Sequence, residues 1–361
     1  MNVPKLRFKE FNDNYLSLKY KDVLKIKSGK DQKQVECENG IYPILGTGGQ
    51  IGKTNSFLYD KPSVLIGRKG TINKPQYMET PFWTVDTLFY SHIYEPNIPK
   101  YLFYSFQSVN WKKYDESTGV PSLSSSTIEG VDCNIPSKEE QLKVANFLSL
   151  LDKKIELQSK KIEDLKLFKL YTKNQIFKDY DEIFKLKDIL VKWNKKNKNN
   201  YVKYVESISN KYGFISQSDQ FEDRNVASKN LNNYYIIEKG VFGYNPSRLN
   251  VGSLALKTND KVSVVSPLYE CFTTSQNKQY LLEWFNSKYF RKETISKFEG
   301  GVRNTLNFSN LCEIEIGLPT IEKQNMYSRI FKIFNKKLTI EEEKLDKLFE
   351  LKKGLLQSMF V

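Results

Sequence analysis

The segment Pro136-Ser-Lys-Glu-Glu-Gln141 opens a stretch rich in Lys, Leu and Ile that runs without proline to Phe177. The same pattern recurs 183 residues later, where Pro319-Thr-Ile-Glu-Lys-Gln324 opens a stretch that runs to Phe360. A segment that occurs once in the middle and once at the end of a chain indicates two similar modules, each followed by the same kind of element.

Both stretches have the apolar spacing of packed α-helices, with steps of three and four residues around a polar position, Gln158 or Glu341. Ser137 and Thr320 stand where N-caps are expected. A single amphipathic helix would most simply pack on its own domain. Two matching helices of about 40 residues, each spanning roughly 60 Å, are better explained if they pack along each other. The predicted packing positions are Leu148, Leu151, Ile155, Ile162 and Leu165 in the first helix and Phe331, Phe334, Leu338, Leu345 and Leu348 in the second.

The regions before the helices are rich in short β-type runs, such as Ser63-Val-Leu-Ile66 and Lys261-Val-Ser-Val-Val265, separated by Gly, Pro and Asn. Both regions open alike, with Leu18-Lys-Tyr-Lys-Asp-Val-Leu24 and Phe184-Lys-Leu-Lys-Asp-Ile-Leu190, but their interiors differ. The sequence therefore predicts an α+β protein with two β-rich modules and two long helices. The expected segments are a first module over residues 1–138, a central helix over 139–178, a second module over 179–320 and a C-terminal helix over 321–361.

The composition favours a polyanionic partner. The 361 residues include 56 Lys and Arg against 42 Asp and Glu, a net charge of +14. Nucleic acid is a better candidate than a membrane surface, although a genome of low GC content also enriches lysine. The chain has no apolar run of the ~20 residues that a membrane span needs and no signal-like start. Its four cysteines lie far apart without a Cys-x-x-Cys pair, so we expect a cytoplasmic protein without disulfides or zinc.

Motifs for catalysis are incomplete. Thr47-Gly-Gly-Gln-Ile-Gly-Lys-Thr54 ends like a phosphate-binding P-loop, but its first glycine is replaced and no helical pattern follows. His92 is the only histidine, which excludes most Ser/His and Cys/His arrangements and multi-histidine metal sites. No Asn/Asp-Pro-Pro-Tyr/Phe tetrapeptide of an amino-methyltransferase occurs. The sequence predicts a chain that is not an enzyme and binds no cofactor or metal of its own.

Basic and amide side chains on glycine-rich loops are the remaining candidates for function. Arg and Lys donate to guanine edges or phosphates, Asn pairs with adenine, and Thr contacts the thymine methyl group. Each loop taken alone is also typical of a solvated turn. The predicted DNA-binding residues are Lys53, Thr54, Asn55, Arg68, Lys69, Thr71, Asn73 and Lys74 in the first module and Tyr244, Asn245, Arg248, Lys297, Arg303 and Asn304 in the second.

Taken together, these features resemble the specificity (S) subunit of type I restriction–modification systems over essentially the whole chain. The strongest elements are the two Pro-[Ser/Thr]-x-Glu-x-Gln helices and the C-terminal run Leu351-Lys-Lys-Gly-Leu-Leu-Gln-Ser-Met-Phe360. The loops in Val64-Leu-Ile-Gly-Arg-Lys-Gly-Thr71 and Gly240-Val-Phe-Gly-Tyr-Asn-Pro-Ser-Arg248 are similar to those of two types of target-recognition domain.

The resemblance implies two target-recognition domains that each bind one half of a bipartite double-stranded DNA site, held apart by two antiparallel coiled-coil helices. It implies two methyltransferase (M) subunits as partners, which carry S-adenosylmethionine and methylate adenine, and motor-nuclease (R) subunits for cleavage. The alternatives are a stand-alone nucleic-acid-binding protein without an enzyme partner, a coiled-coil adaptor with a basic surface, and an enzyme in its own right.

Overall fold

The computed structural model describes residues 3–210, 212–217, 230–251, 253–295 and 305–361. The chain divides into two compact units. The first unit comprises residues 1–161 and 341–361, and the second unit comprises residues 162–340. Each unit therefore contains one β-rich region together with a segment of each long helix.

The two repeated stretches form helices of 39 residues each, α4 (Lys138–Ile176) and α9 (Ile321–Met359). The predicted caps are in place, since Ser137 Oγ accepts from the backbone N of Glu140 at 3.4 Å and Thr320 Oγ1 accepts from that of Lys323 at 3.4 Å. These caps satisfy amide groups that have no partner within the helix.

The first unit contains two antiparallel sheets. Strand β1 pairs with β9, and a four-stranded sheet has the order β2-β8-β5-β6. A further three-stranded sheet, β4-β3-β7, contains the parallel pair β3 and β7. The elements are β1 Leu16–Lys19, α1 Tyr20–Val23, β2 Leu24–Lys27, β3 Tyr42–Gly46, β4 Gly49–Thr54, β5 Ser63–Gly67, β6 Gln76–Met78, β7 Trp83–Thr84, β8 Leu88–Ile93, α2 Pro99–Ser108, a 3₁₀ turn Trp111–Tyr114, α3 Ser125–Gly130 and β9 Asp132–Ile135.

The second unit repeats part of this plan. Strand β10 pairs with β19, and a four-stranded sheet has the order β11-β18-β15-β16. The elements are β10 Glu182–Lys185, α5 Leu186–Ile189, β11 Leu190–Lys192, a 3₁₀ turn Lys198–Asn200, β12 Glu206–Ser209, β13 Gly213–Ser216, β14 Tyr235–Ile237, β15 Phe242–Tyr244, a 3₁₀ turn Pro246–Val251, β16 Leu254–Leu256, β17 Ser263–Val265, β18 Glu270–Thr274, α6 Lys278–Phe285, α7 Lys288–Ile295, α8 Phe308–Cys312 and β19 Glu315–Leu318.

The common plan and the differences fall in separate places. The outer strand pair, the four-stranded sheet and the short helix after it occur in both units in the same order. Among the described residues, the first unit adds the sheet β4-β3-β7, whereas the second adds the strand pairs β12-β13 and β14-β17. The repeated framework therefore carries different interior strands and loops, as the sequence indicated.

The repeated glutamine of each motif connects a long helix to the short helix of the same unit. Gln141, 2% exposed, donates to Pro136 O at 3.1 Å and accepts from the backbone N of Ile98 at 2.9 Å, just before α2. Gln324, 1% exposed, donates to Pro319 O at 2.9 Å and accepts from the backbone N of Asn277 at 3.1 Å, just before α6. One side chain thus satisfies an unpaired amide at the start of each short helix.

In the first unit, α2 also contacts the long helices through a polar cluster. The Tyr104 hydroxyl donates to Asp152 Oδ2 of α4 at 2.8 Å. The same carboxylate accepts an ion pair from Lys352 of α9, at 2.6 Å from Oδ1. We call these three residues the first junction.

The second unit places a different cluster at the equivalent location. Lys173 of α4 pairs with Glu283 of α6 at 2.9 Å, and both side chains are 10% exposed. Asn335 of α9 donates to Glu283 Oε1 at 3.3 Å, and Lys169 donates to Asn335 Oδ1 at 2.5 Å. These four residues form the second junction.

The predicted packing positions of the helices are all at least partly buried. Leu148, Leu151, Ile155, Ile162 and Phe331 are buried, and Leu165, Phe334, Leu338, Leu345 and Leu348 are half-buried. Leu148 belongs to the core of the first unit with Met359, and Phe331 to that of the second unit with Ile176.

Within each unit, the two long-helix segments run antiparallel. In the first unit Gln158 contacts Glu341 and Asp152 contacts Lys352. In the second unit the rings of Phe168 and Phe334 lie 5.6 Å apart. The predicted α+β class with paired long helices is confirmed. Among the described residues, no helix is long and apolar enough to cross a membrane.

Candidate nucleic-acid interface

The glycine-rich segments of the first unit meet at one end of its sheets. Strands β3 and β4 are joined by the two-residue turn Thr47-Gly48, and Gly46 pairs with Gly49 across it. Gln76 Nε2 donates to Gly46 O at 2.8 Å. A side chain built on Gly70 would come within 3.7 Å of Thr47 Oγ1. The hairpin tip therefore lies against the loop between β5 and β6.

Backbone contacts hold the loop from Arg68 onward in a tight conformation. Gly70 has a positive φ of +86°, and a Cβ on Gly67 would lie 2.4 Å from the Thr71 carbonyl oxygen. The backbone N of Gly70 donates to Pro121 O at 2.8 Å, and Leu123 N donates to Arg68 O at 2.9 Å. The segment Gly119-Val-Pro-Ser-Leu123 thus fixes the basic loop in place.

This loop presents most of the predicted DNA-binding residues of the first unit to solvent. Arg68, Lys69, Asn73 and Lys74 are exposed, and Thr71 is half-buried. A loop whose backbone is held by hydrogen bonds while its cations and amides point outward is suited to contacts with base edges and phosphates. Their contact with DNA stays a prediction.

Lys53 and Asn55 are exposed at the other end of β4. Lys53 lies four positions after Gly49, a distance of roughly 13 Å along a strand. The cavity beside Lys53 is also lined by Glu36 and Glu38, which makes this surface less favourable for a polyanion.

The prediction for Thr54 needs correction. Its side chain is buried, with 0% exposure, and its Oγ1 accepts from the backbone N of Ser56 at 3.0 Å. Thr54 is the last residue of β4, and its hydroxyl accepts this hydrogen bond within the protein. It therefore stabilises the turn that follows the strand. It is not placed to contact DNA.

The prediction that Tyr244 contacts DNA also needs correction. Tyr244 lies in β15, one of the two central strands of the four-stranded sheet, and it is 0% exposed. Its ring packs against Phe272 at 6.3 Å, and burial raises the pKa of its hydroxyl well above the usual value. The hydroxyl has no hydrogen-bond partner among the described residues. Tyr244 is therefore a core residue.

The residues after Tyr244 form a polar turn. Asn245 is half-buried and its Oδ1 accepts from the backbone N of Ser247 at 3.0 Å. Arg248 is exposed on the 3₁₀ turn that follows. The other predicted contacts of this module, Lys297, Arg303 and Asn304, lie outside the described residues.

The polar step in the helix pair brings together two residues at the same position of the repeat. Gln158 Nε2 donates to Glu341 Oε2 at 2.8 Å, and Lys161 pairs with the same carboxylate at 3.0 Å. Hydrogen bonds from Gln158 and Lys161, with a further one from Lys344, lower the pKa of Glu341 to about 2. A buried polar contact of this kind favours one register of a helix pair over its neighbours.

Comparison with known proteins identifies the framework just described. Residues 12–167 match the family model of the type I restriction modification DNA specificity domain. Over this stretch, the chain is similar to the DNA specificity domain of type I restriction–modification systems. The resemblance proposed from the sequence is thus confirmed. The matched residues include the loop Arg68–Lys74 and most of α4.

Similar proteins extend the resemblance beyond the matched residues. The type I restriction enzyme MjaVIII specificity subunit of Methanocaldococcus jannaschii is 24% identical over 294 residues, which cover 71% of this chain and 68% of the relative. The crystal structure of the type I restriction–modification S subunit from M. genitalium superposes with a TM-score of 0.65 at 15% identity, covering 99% of both chains.

A structure that addresses complex assembly and conformational transition of the type I restriction–modification system gives a TM-score of 0.58 at 10% identity, covering 96% of this chain and 97% of the other. At these identities, the structural similarities establish that this chain shares their fold.

The candidate metal ligands and the single histidine can be placed in the described part of the chain. The described residues contain no group of three or more His, Cys, Asp or Glu side chains arranged to hold a metal ion. His92 is half-buried, and its Nδ1 forms a 3.0 Å hydrogen bond with the Tyr59 hydroxyl. Its ring also lies edge-on to the rings of Tyr59 at 6.2 Å and Tyr94 at 5.8 Å, so it contributes to the aromatic packing around β8.

Proposed function

We propose that this chain is the subunit that selects the DNA sequence in a type I restriction–modification complex. Each unit would bind one half of a bipartite duplex site, and the helix pair that runs through both units would set the gap. The net charge of +14 supports a duplex DNA partner.

The observation that carries this proposal is one framework repeated with different interiors. Both units have the outer strand pair, the four-stranded sheet and the short helix joined to a long helix by a repeated glutamine. Between these shared elements, the first unit has the loop Arg68–Lys74 beside a glycine hairpin, and the second has the turn Asn245–Arg248. Two similar supports with different loops suit recognition of two different half-sites.

We further propose that two copies of a methyltransferase subunit bind the long helices. Leu150 and Leu157 are 70% and 58% exposed in the first unit, and the residues at the same repeat positions, Ile333 and Ile340, are 66% and 39% exposed in the second. Matching apolar pairs, one per unit, are suited to two copies of one partner. In this proposal the partners bring S-adenosylmethionine and methylate adenine, motor-nuclease subunits cleave, and this chain performs no catalysis.

The test is to map methylated adenines in cells that express the complex with wild-type chain, Arg68→Ala or Arg248→Ala. We expect a bipartite motif for the wild type. Arg68→Ala should relax recognition in one half of the motif, by about 1 to 3 kcal/mol for the affected base pair, and Arg248→Ala should affect only the other half. A continuous motif, or equal loss in both halves from either variant, would overturn the proposal.

Co-purification tests the partner. A chain that binds duplex DNA with sequence preference but purifies without a methyltransferase would be a stand-alone DNA-binding protein. The variant pair Leu150→Glu and Ile333→Glu should each remove about one of the two partner copies.

A further inference from the structure

A polar groove in the first unit joins the predicted DNA-binding loop to the end of α9. Its volume is about 480 Å³. The loop contributes Asn73 and Lys74, the end of α2 and the turn after it contribute Asn110, and α9 contributes Lys353 and Gln357. The remaining lining residues are Pro75, Gln107, Ser108, Val109, Phe349, Lys352 and Leu356.

The charge of this groove is positive and largely uncompensated. Three lysines and several amides line it, and the described lining residues include no carboxylate. Lys352 is held by Asp152 in the first junction. Lys74 and Lys353 are exposed, and neither forms an ion pair with a described residue. Amide donors between two free ammonium groups are the chemistry that binds phosphate oxygens.

We propose that this groove holds the phosphodiester backbone of DNA, with Lys353 and Gln357 of α9 as binding residues beside Lys74 and Asn73. The inference rests on the proposed function and deepens it. The C-terminal end of the spacer helix then contacts DNA itself, next to the base-reading loop of the first unit. Because phosphate contacts carry no base information, they fix the register of that loop on the duplex.

Among the described residues, the second unit does not repeat all of the lysine positions of this groove. The residue at the repeat position of Lys353 is Leu170, which is 54% exposed. The residue equivalent to Lys352 is Lys169, whose Nζ donates to Asn335. The proposed backbone contact by a long helix therefore belongs to the first half-site alone.

The experiment measures the affinity of the full chain for a random-sequence duplex over a range of salt concentrations. The slope of log K against log salt is negative, and each lost phosphate contact lowers its magnitude by about 0.9. We expect Lys353→Gln and Lys74→Gln each to lower the magnitude of the slope by about that amount, and Gln357→Lys to increase it by a similar amount. Lys353→Arg should keep the wild-type slope.

The matched control is Lys347→Gln, an exposed lysine of the same helix that does not line the groove. Its slope should be closer to that of the wild type than the slope of Lys353→Gln. Equal slopes for Lys353→Gln and Lys347→Gln, together with no gain from Gln357→Lys, would overturn the groove while leaving duplex recognition intact. If the wild-type chain shows no salt-dependent duplex binding at all, the proposed function itself fails.

Discussion

The two junctions fix a short helix to the long helices at the same place with different charges. Asp152 and Asn335 occupy one repeat position, and Lys352 and Lys169 occupy another. In the first unit the carboxylate is on the long helix and accepts from Tyr104. In the second it is Glu283 on the short helix and pairs with Lys173. The location of the contact is thus preserved while its charges have moved between elements.

The two junctions differ in how deeply their ion pairs are buried, and this difference affects how much each pair contributes to stability. The side chains of Lys173 and Glu283 are each 10% exposed, whereas those of Lys352 and Asp152 are 17% and 33% exposed. Burial alone would raise the pKa of Glu283, but the charges of Lys173 and Lys169 and the hydrogen bonds from Lys173 and Asn335 lower it. The second junction therefore depends on both partners, and the first is closer to a surface ion pair.

The largest expected effect comes from breaking the buried pair. Lys173→Met leaves the Glu283 carboxylate without its main partner, so we expect a loss of about 3 to 5 kcal/mol in the unfolding free energy of the second unit. Lys352→Met, the matched variant, should cost at most about 1 kcal/mol in the first unit. Denaturant unfolding of both variants measures the difference.

A double variant distinguishes the loss of the Lys173–Glu283 attraction from the cost of leaving Glu283 as an unpaired buried charge. Lys173→Met with Glu283→Leu should recover most of the stability that Lys173→Met loses, because no buried charge remains. Equal losses for Lys173→Met and Lys352→Met would show that the junctions do not differ in the way their burial indicates.

The repeated glutamines should behave alike, in contrast to the junctions. Gln141→Ala leaves the part-buried amide of Ile98 without its acceptor, and Gln324→Ala does the same to the part-buried amide of Asn277. We expect each to destabilise its own unit by about 1 to 3 kcal/mol, measured by hydrogen exchange at α2 and α6. A large loss of stability in one unit and none in the other would mean that the two glutamines contribute unequally despite their equivalent hydrogen bonds.

The smallest expected effect is a pH dependence of the helix pair. The pKa of Glu341 is about 2 in the folded chain, below its ordinary value of 4.5. The stabilisation is therefore complete above the ordinary value and is lost as the pH falls from about 4.5 towards 2. Glu341→Gln should remove this contribution, so the stability difference from wild type should shrink over that pH window in thermal melts. A difference that is constant between pH 6 and 3 would contradict the assignment.

The long helices were the most predictable part of the fold. Their heptad spacing and caps are local properties of the sequence, and Ser137 and Thr320 cap them as expected. The role of Gln141 and Gln324 was not predicted, although the repeat contains both, because their partners lie 43 and 47 positions away. A glutamine in a motif does not indicate which distant amide it satisfies.

The candidate site was predictable only in part. The exposed loop Arg68–Lys74 was recognisable from its glycines and cations. Thr54 and Tyr244 were assigned wrongly because each ends a short strand, where one residue decides whether a side chain faces the core or solvent. For Tyr244 the neighbouring strands β16 and β18 cover both sides of β15, and that tertiary pairing is not visible in the local sequence.

The contact between Gln158 and Glu341 affects which helices pair in a protein that contains the same helix twice. When a helix pairs with its own copy in antiparallel fashion, one position of the repeat must face itself. Identical glutamates there would repel each other, and identical glutamines would allow any copy to pair with any other. One glutamine facing one glutamate makes the two copies distinguishable, so each helix prefers its counterpart within the chain to the same helix of a neighbouring molecule. Divergence at this self-facing position thus favours pairing between the two different helices over pairing of either helix with its own copy.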